Sequence, residues 1–292
     1  MGSVMKKMTE IKIKNVGIES YTSMISTINT ILAFIICAIL FVFMIAVSGF
    51  SLVSIFTIVI LLIGLPLLSF LVSLALNFLR VKFYNLFSGK LNPISFELYD
   101  GEEILKIQTL KSALILACVA GVVAFILGIV FLTLSPFMQS LYYILPFDWM
   151  YLLITQYSSI GNILLYPIIT FVSTLIGFII YFGLYNIFAP LLGGVKVDLE
   201  EKSAGNYILN KVKPISLALN VAIISLIITV VVTIVLGIIG FVMGAVAIVA
   251  FLVTLAIYAI MVFVFSFVAA FIIVALYNFF APKIGAVELE LE

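Results

Sequence analysis

The chain has 292 residues, of which 65% are hydrophobic and 9% charged, and it carries 14 Lys plus Arg, 13 Asp plus Glu and no His. Soluble domains average about 25% charged residues, so this composition, with a mean hydropathy of +1.41, excludes a water-solvated domain and points to segments solvated by lipid. The missing His removes the commonest general base and the commonest metal ligand.

In chain order, residues 1–8 form an N-terminal tail whose first four residues, MGSV, are set aside as an appended scar. Lys6 stands where a myristoylation motif needs Ser or Thr, and the first apolar run lacks a small-residue cleavage pattern. Neither a lipid anchor nor a cleavable leader is therefore expected. A polar, strand-like lead, EIKIKNV, comes next. Residues 20–79 then contain no Asp, Glu, Lys or Arg, room for two spans of about 20 residues, placed at 24–47 and 66–86. The apolar stretch between them, 48–65, is expected either to prolong the spans or to lie in the interface. Asp100-Gly101 predicts a hairpin turn joining strands 94–99 and 103–109. The next spans fall at 112–134 and 165–187. Between them an aromatic outer loop, 135–162, holds Asp148 and the single Trp, Trp149, and is expected to form an interfacial lid. Residues 214–282 are again free of charge. They predict spans at 216–240 and 258–279, with 241–257 open to the same two readings as 48–65. Cys37 and Cys118 fall inside spans and read as small packing residues.

The chain repeats itself. With Asn85, Asn186 and Asn278 in register, the text downstream aligns without a gap. Each Asn follows a Tyr (Tyr84, Tyr185, Tyr277) and precedes a Phe by two residues (Phe87, Phe188, Phe280). Apolar residues then recur at period two, as Ile94/Phe96/Leu98, Val195/Val197/Leu199 and Val287/Leu289/Leu291, the pattern of a half-buried strand. The front edges match through Ser20, Ser112 and Ser216, each behind a Lys-bearing lead: EIKIKNV, EILKIQT and YILNKVK. Three units follow, at 9–100, 101–202 and 203–292.

The basic residues decide the number of spans. Four precede Ser20, five lie between Arg80 and Lys111, four between Lys196 and Lys213, and one is Lys283. All the unit junctions thus fall on the positive, cytoplasmic side, and only an even number of spans per unit permits that. The fold class expected is an α-helical integral membrane protein of the cell membrane. Its six transmembrane helices form three two-span repeats in pseudo-threefold arrangement, with both termini cytoplasmic. A small antiparallel cytoplasmic β-sheet is built from the repeat ends, closed by pairing the first lead with the last tail. Tyr would anchor each second span at the interface, and Asn with the following Pro or Gly would end the helix. The sharper reading of Asn85, Asn186 and Asn278 is a ring of amides offered to an ion or head group.

The Tyr-Asn ending with Gly-Gly and a Val-x-Val-x-Leu tail resembles an actinobacterial transmembrane family of unknown function. Leu184, Tyr185, Asn186, Gly193, Gly194, Val195 and Val197 carry the ending, and Lys213, Pro214 and Ser216 carry the opening. The first unit departs, with Ser88-Gly89 for Ala-Pro and Asn92-Pro93 for Gly-Gly. The resemblance implies a membrane domain and no particular reaction.

No nucleophile elbow, phosphate-binding loop or paired-cysteine zinc spacing occurs, and no enzyme, cofactor or metal is expected. The polar residues within the spans are uncharged, among them Asn29, Ser69, Ser73, Asn77, Asn220 and Thr229. They read first as helix-packing contacts and second as a solute path. The expected function is a multipass scaffold or interaction protein; the alternative is a passive channel or facilitator along the pseudo-axis. Its partners would be membrane lipid and a membrane or cytoplasmic protein met through the β platform. No nucleic acid is expected, and the chain would be a self-contained pseudo-trimer.

Overall fold

The computed structural model describes residues 8–49, 57–144, 160–244 and 248–292. Strands and paired helices alternate along it. The first unit holds β1 (Met8–Val16), α1 (Ile18–Ser48), α2 (Leu65–Ser88) and β2 (Ile94–Tyr99). The second holds β3 (Glu103–Ile107), α3 (Thr109–Ile144), α4 (Ile160–Leu192) and β4 (Val195–Ser203). The third holds β5 (Asn206–Val212), α5 (Pro214–Val242), α6 (Ile248–Ile284) and β6 (Val287–Leu291). Among the described residues, six helical stretches of 29 to 37 residues are long and apolar enough to cross a membrane.

Each helix outruns its predicted span. About 20 residues cross the hydrocarbon layer, but a helix continues until something breaks its hydrogen-bond ladder. Residues 57–64 are helical and lead into α2 through a π turn at Ile60–Gly64, just before Pro66. Residues 248–257 belong to α6. Within the two ambiguous outer segments, residues 57–64 and 248–257 therefore prolong helices. The predicted lid is shorter than 135–162, because 135–144 belongs to α3 and 160–162 to α4. Asp148 and Trp149 lie outside the described residues. Pro136 sits inside α3, where its missing N–H leaves the Leu132 carbonyl without its ladder partner. The Ser135 hydroxyl donates to that carbonyl at 2.8 Å, a repair open to helices in lipid.

The helices do not stop at Asn-Pro either. α4 runs six residues past Asn186, through Pro190, and α6 runs six past Asn278, through Pro282. They end at Gly193 (φ 84°) and Gly285 (φ 96°), left-handed positions that only Gly adopts at no steric cost.

The six strands close into a barrel in chain order, β1 to β6. Neighbouring strands from β2 to β6 pair antiparallel. Lys12 of β1 and Glu292 exchange N–H···O bonds at 2.9 and 3.0 Å, so the first lead meets the last tail and no long strand edge is left open. Asp100 (φ 55°) and Gly101 (φ 78°) both take positive φ, as the favoured hairpin turn requires. A second hairpin, unforeseen from sequence, joins β4 to β5 through Ala204-Gly205, with Gly205 at φ 79°. β3 ends at Ile107, short of the expected 109, because Thr109 already begins α3.

The chain divides into two compact bodies. One comprises Met1–Lys12, Phe96–Ile107 and Tyr181–Glu292. Its core packs Tyr185, Ala189 and Ile224 against Ile104, Ile107 and Val195. The other comprises Ile13–Ser95 and Gln108–Ile180. There Tyr84, Ile115, Val119 and Val123 pack against Ile13, Val16 and Ile94, and Gly121 and Gly128 let α3 approach Phe171 and Ile163 of α4. The outward helix faces are apolar: Phe43 is 67% exposed, Phe265 67% and Ile168 60%. Such continuous apolar exposure is costly in water and natural in lipid.

Candidate functional site

The repeated Tyr-Asn pairs are built into the junction between helices and strands. In the first unit, the Tyr84 hydroxyl donates to the Ile13 carbonyl at 2.5 Å and accepts the Ile94 N–H at 3.3 Å. Next to it, the Asn85 amide binds both backbone groups of Val16: its Oδ1 accepts the N–H at 2.9 Å and its Nδ2 donates to the carbonyl at 2.9 Å. In the second unit Tyr185 donates to the Ile104 carbonyl at 2.5 Å and accepts the Val195 N–H at 3.1 Å. Asn186 holds the N–H and carbonyl of Ile107 at 2.7 and 2.8 Å. In the third, Tyr277 donates to the Leu209 carbonyl and accepts the Val287 N–H at 3.2 Å. Asn278 holds Val212 at 3.0 and 2.7 Å.

The physical logic is the same each time. Val16, Ile107 and Val212 are the last residues of β1, β3 and β5; Ile94, Val195 and Val287 are the first of β2, β4 and β6. A strand that turns into a helix leaves backbone groups without a ladder partner, and burying them unpaired is expensive. The Asn amide gives the last lead residue both bonds that an opposing strand residue would give. The Tyr hydroxyl, one donor and one acceptor, joins the lead to the start of the tail. The three phenol rings are 3–6% exposed, so these are buried clamps. In all three units the Asn85, Asn186 and Asn278 amides bond strand backbone. Phe87 stacks on Phe83 at 6.2 Å, Phe280 meets Phe279 edge-on at 4.9 Å, and Phe188 is half-buried.

The clamped residues also define a register. Counting from Val16, Ile107 and Val212, the residues six, eight, ten and twelve positions later are buried in all three units. They are Thr22, Met24, Ser26 and Ile28 in α1; Ala113, Ile115, Ala117 and Val119 in α3; and Ala218, Asn220, Ala222 and Ile224 in α5. Ten of the twelve are no more than 2% exposed, and none exceeds 8%. Alternate residues on a helix lie about 200° apart, so each first helix is covered on two sides over this length. This register aligns Ser20 and Ser216 with Lys111, one residue from Ser112, their match in the sequence repeat.

Two polar groupings escape the repeat pattern. In one body, Asn77, fully buried, donates to the Ser26 hydroxyl at 3.3 Å and accepts from the Arg80 guanidinium at 3.2 Å. Asn29 donates to the Ser73 hydroxyl at 3.3 Å. Asn29, Ser73 and Asn77 were candidates for interhelical contacts, and they bond α1 to α2; Ser26 and Arg80 carried no sequence signal for this. In the other body, the Glu103 carboxylate accepts the Gly194 N–H at 2.6 Å with Lys196 3.9 Å away. Asn220 donates to the Gly193 carbonyl at 2.9 Å, and Ser216 accepts the Lys196 N–H at 3.0 Å. Gly-Gly in the sequence was the one hint of this close approach.

These arrangements hold backbone in place. Glu97 pairs with Lys106 at 3.2 Å and Glu288 with Lys202 at 2.8 Å, both on the solvated barrel surface. Among the described residues no three His, Cys, Asp or Glu side chains gather as a metal site, and both cysteines are free thiols within helices. Comparison with protein-family models, with curated proteins and with solved structures finds no match.

Proposed function

We propose that this chain is a multipass membrane scaffold, a fused trimer of a two-helix unit that presents its β-barrel to a protein partner on the cytoplasmic side. One observation carries the reading. The twelve equivalent positions on α1, α3 and α5 are buried, and the Asn amides that would line a polar path are bonded to backbone. Buried helix positions and backbone-bound amides favour a rigid support over a solute path. The recurrence of the clamps and of the buried register supports a pseudo-threefold arrangement, since equal local bonding at equal offsets lets one geometry be used three times. The one-sided basic residues support a cytoplasmic barrel.

The test is a proteoliposome flux assay on the Asn85→Ala, Asn186→Ala, Asn278→Ala triple variant, run beside a thermal melt. The scaffold reading expects a lower melting temperature and the same background leakage as the parent. A selective ion or solute flux in the parent that changes with those three residues would replace it with the facilitator reading. Affinity capture from native membranes, with barrel-surface substitutions as controls, would then identify the partner.

A further inference from the structure

We propose that an anionic phospholipid headgroup binds at Arg80, near the C-terminal end of α2. The inference rests on the reading that these helices lie in a membrane. Within the described helices the charged residues are Glu19, Arg80, Lys82, Lys111 and Lys283. Glu19 and Lys111 sit in the first turns of α1 and α3, and Lys283 in the last turn of α6. Arg80 lies further inside its helix, eight residues before Ser88, about 12 Å along the axis. The helical stretch 57–79 before it carries no charge and measures about 34 Å, close to the hydrocarbon thickness of a bilayer. Arg80 therefore marks the depth where hydrocarbon gives way to headgroup phosphate.

Its guanidinium is positioned rather than free. One N–H is fixed by Asn77 Oδ1, and Asn77 is itself locked to Ser26 on α1. A guanidinium has five N–H donors in a planar fork that matches phosphate oxygens, and the others find no acceptor among the described residues. The residue is exposed. No carboxylate among the described residues pairs with it. Its body holds Lys14, Arg80, Lys82, Lys90 and Lys111 against Glu19 alone among the described residues, while the other acids lie on the barrel. A cation at the membrane boundary needs a counter-charge, and the phosphate of an anionic lipid provides it at that depth. Lys82, on the other flank of α2 with its ammonium 5.6 Å from the Phe78 ring centroid, adds to the attraction without sharing the same oxygens.

The experiment is native mass spectrometry of the full chain in detergent, titrated with phosphatidylglycerol, phosphatidylcholine or inorganic phosphate. The parent is expected to retain phosphatidylglycerol in preference to phosphatidylcholine. Arg80→Gln should lower that retention roughly tenfold, the loss of a charged hydrogen bond; Arg80→Lys should lower it less, and Lys202→Gln, on the barrel, not at all. Circular dichroism of each variant checks that it is folded. Equal retention of the two lipids by the parent, unchanged retention by a folded Arg80→Gln variant, or competition by inorganic phosphate as strong as by the lipid would overturn the proposal. Partition in a cloud-point detergent separates the two readings: a chain left in the aqueous phase refutes the membrane reading itself. A chain that enters the detergent phase but shows no lipid preference refutes the Arg80 site alone.

Discussion

A phenol and an amide, adjacent in sequence, do most of the joining in this molecule, and their cost of removal is calculable. Tyr185→Phe keeps the ring and deletes the hydroxyl, so the Ile104 carbonyl and the Val195 N–H both lose a partner. Leaving such buried groups unsatisfied costs about 1–3 kcal/mol, which a melt in detergent reads as a lower midpoint; an unchanged midpoint would contradict the clamp. Gly194 is demanding for a different reason. A Cβ there would stand 1.9 Å from the Ile104 carbonyl oxygen, which is backbone and cannot turn aside. Gly194→Ala is expected to cost about 4 kcal/mol or more. Gly101→Ala meets no atom within 4 Å and suffers only its φ of 78°, about 1–2 kcal/mol. Denaturant titrations of the two variants should rank them in that order. The sequence displayed Tyr84-Asn85, Tyr185-Asn186 and Tyr277-Asn278 plainly, because the pairs recur. It could not display their partners, since these are backbone groups, 66 to 81 residues away on the lead strands and 10 residues away on the tails, and a backbone N–H has no letter.

At the level of elements, what was legible was periodic. Period-two runs such as Phe96/Leu98 become strands with those side chains buried, and Asp100-Gly101 becomes the turn that its residues require. Helix ends were less legible. The apolar pattern reports which residues face lipid, whereas the ladder continues beyond it until a left-handed Gly intervenes, so Pro190 and Pro282 were misread as stops. The α1–α2 seam hides for a related reason: Ser26 and Asn77 are ordinary polar residues in an apolar run until the two helices meet. Asn77→Ala removes the link to Ser26 and the tether on Arg80. Interhelical polar contacts in lipid are worth about 0.6–2 kcal/mol, and that loss is the expected outcome of a steric-trap or denaturant measurement. Lys202→Gln deletes an ion pair whose side chains are 65% and 52% exposed, and within about 1 kcal/mol it should change nothing.

For the whole molecule, the proposed equivalence of the three units predicts like local energetics, since each Tyr makes the same pair of backbone bonds. Tyr84→Phe, Tyr185→Phe and Tyr277→Phe should each lower stability by a similar amount, within about 1 kcal/mol of one another given the same bonds lost. A large spread would contradict the equivalence of the units. The proposed topology, with the barrel and both ends on the cytoplasmic side and the segment between α3 and α4 outside, is the claim on which the scaffold reading depends most. Cysteine labelling in intact cells tests it directly, on a Cys37→Ala, Cys118→Ala background with a membrane-impermeant reagent. Ser158→Cys, between α3 and α4, should label in intact cells, whereas Ser203→Cys, at the end of β4, should label only after the membrane is opened. Equal labelling of both positions from the same side would contradict the account.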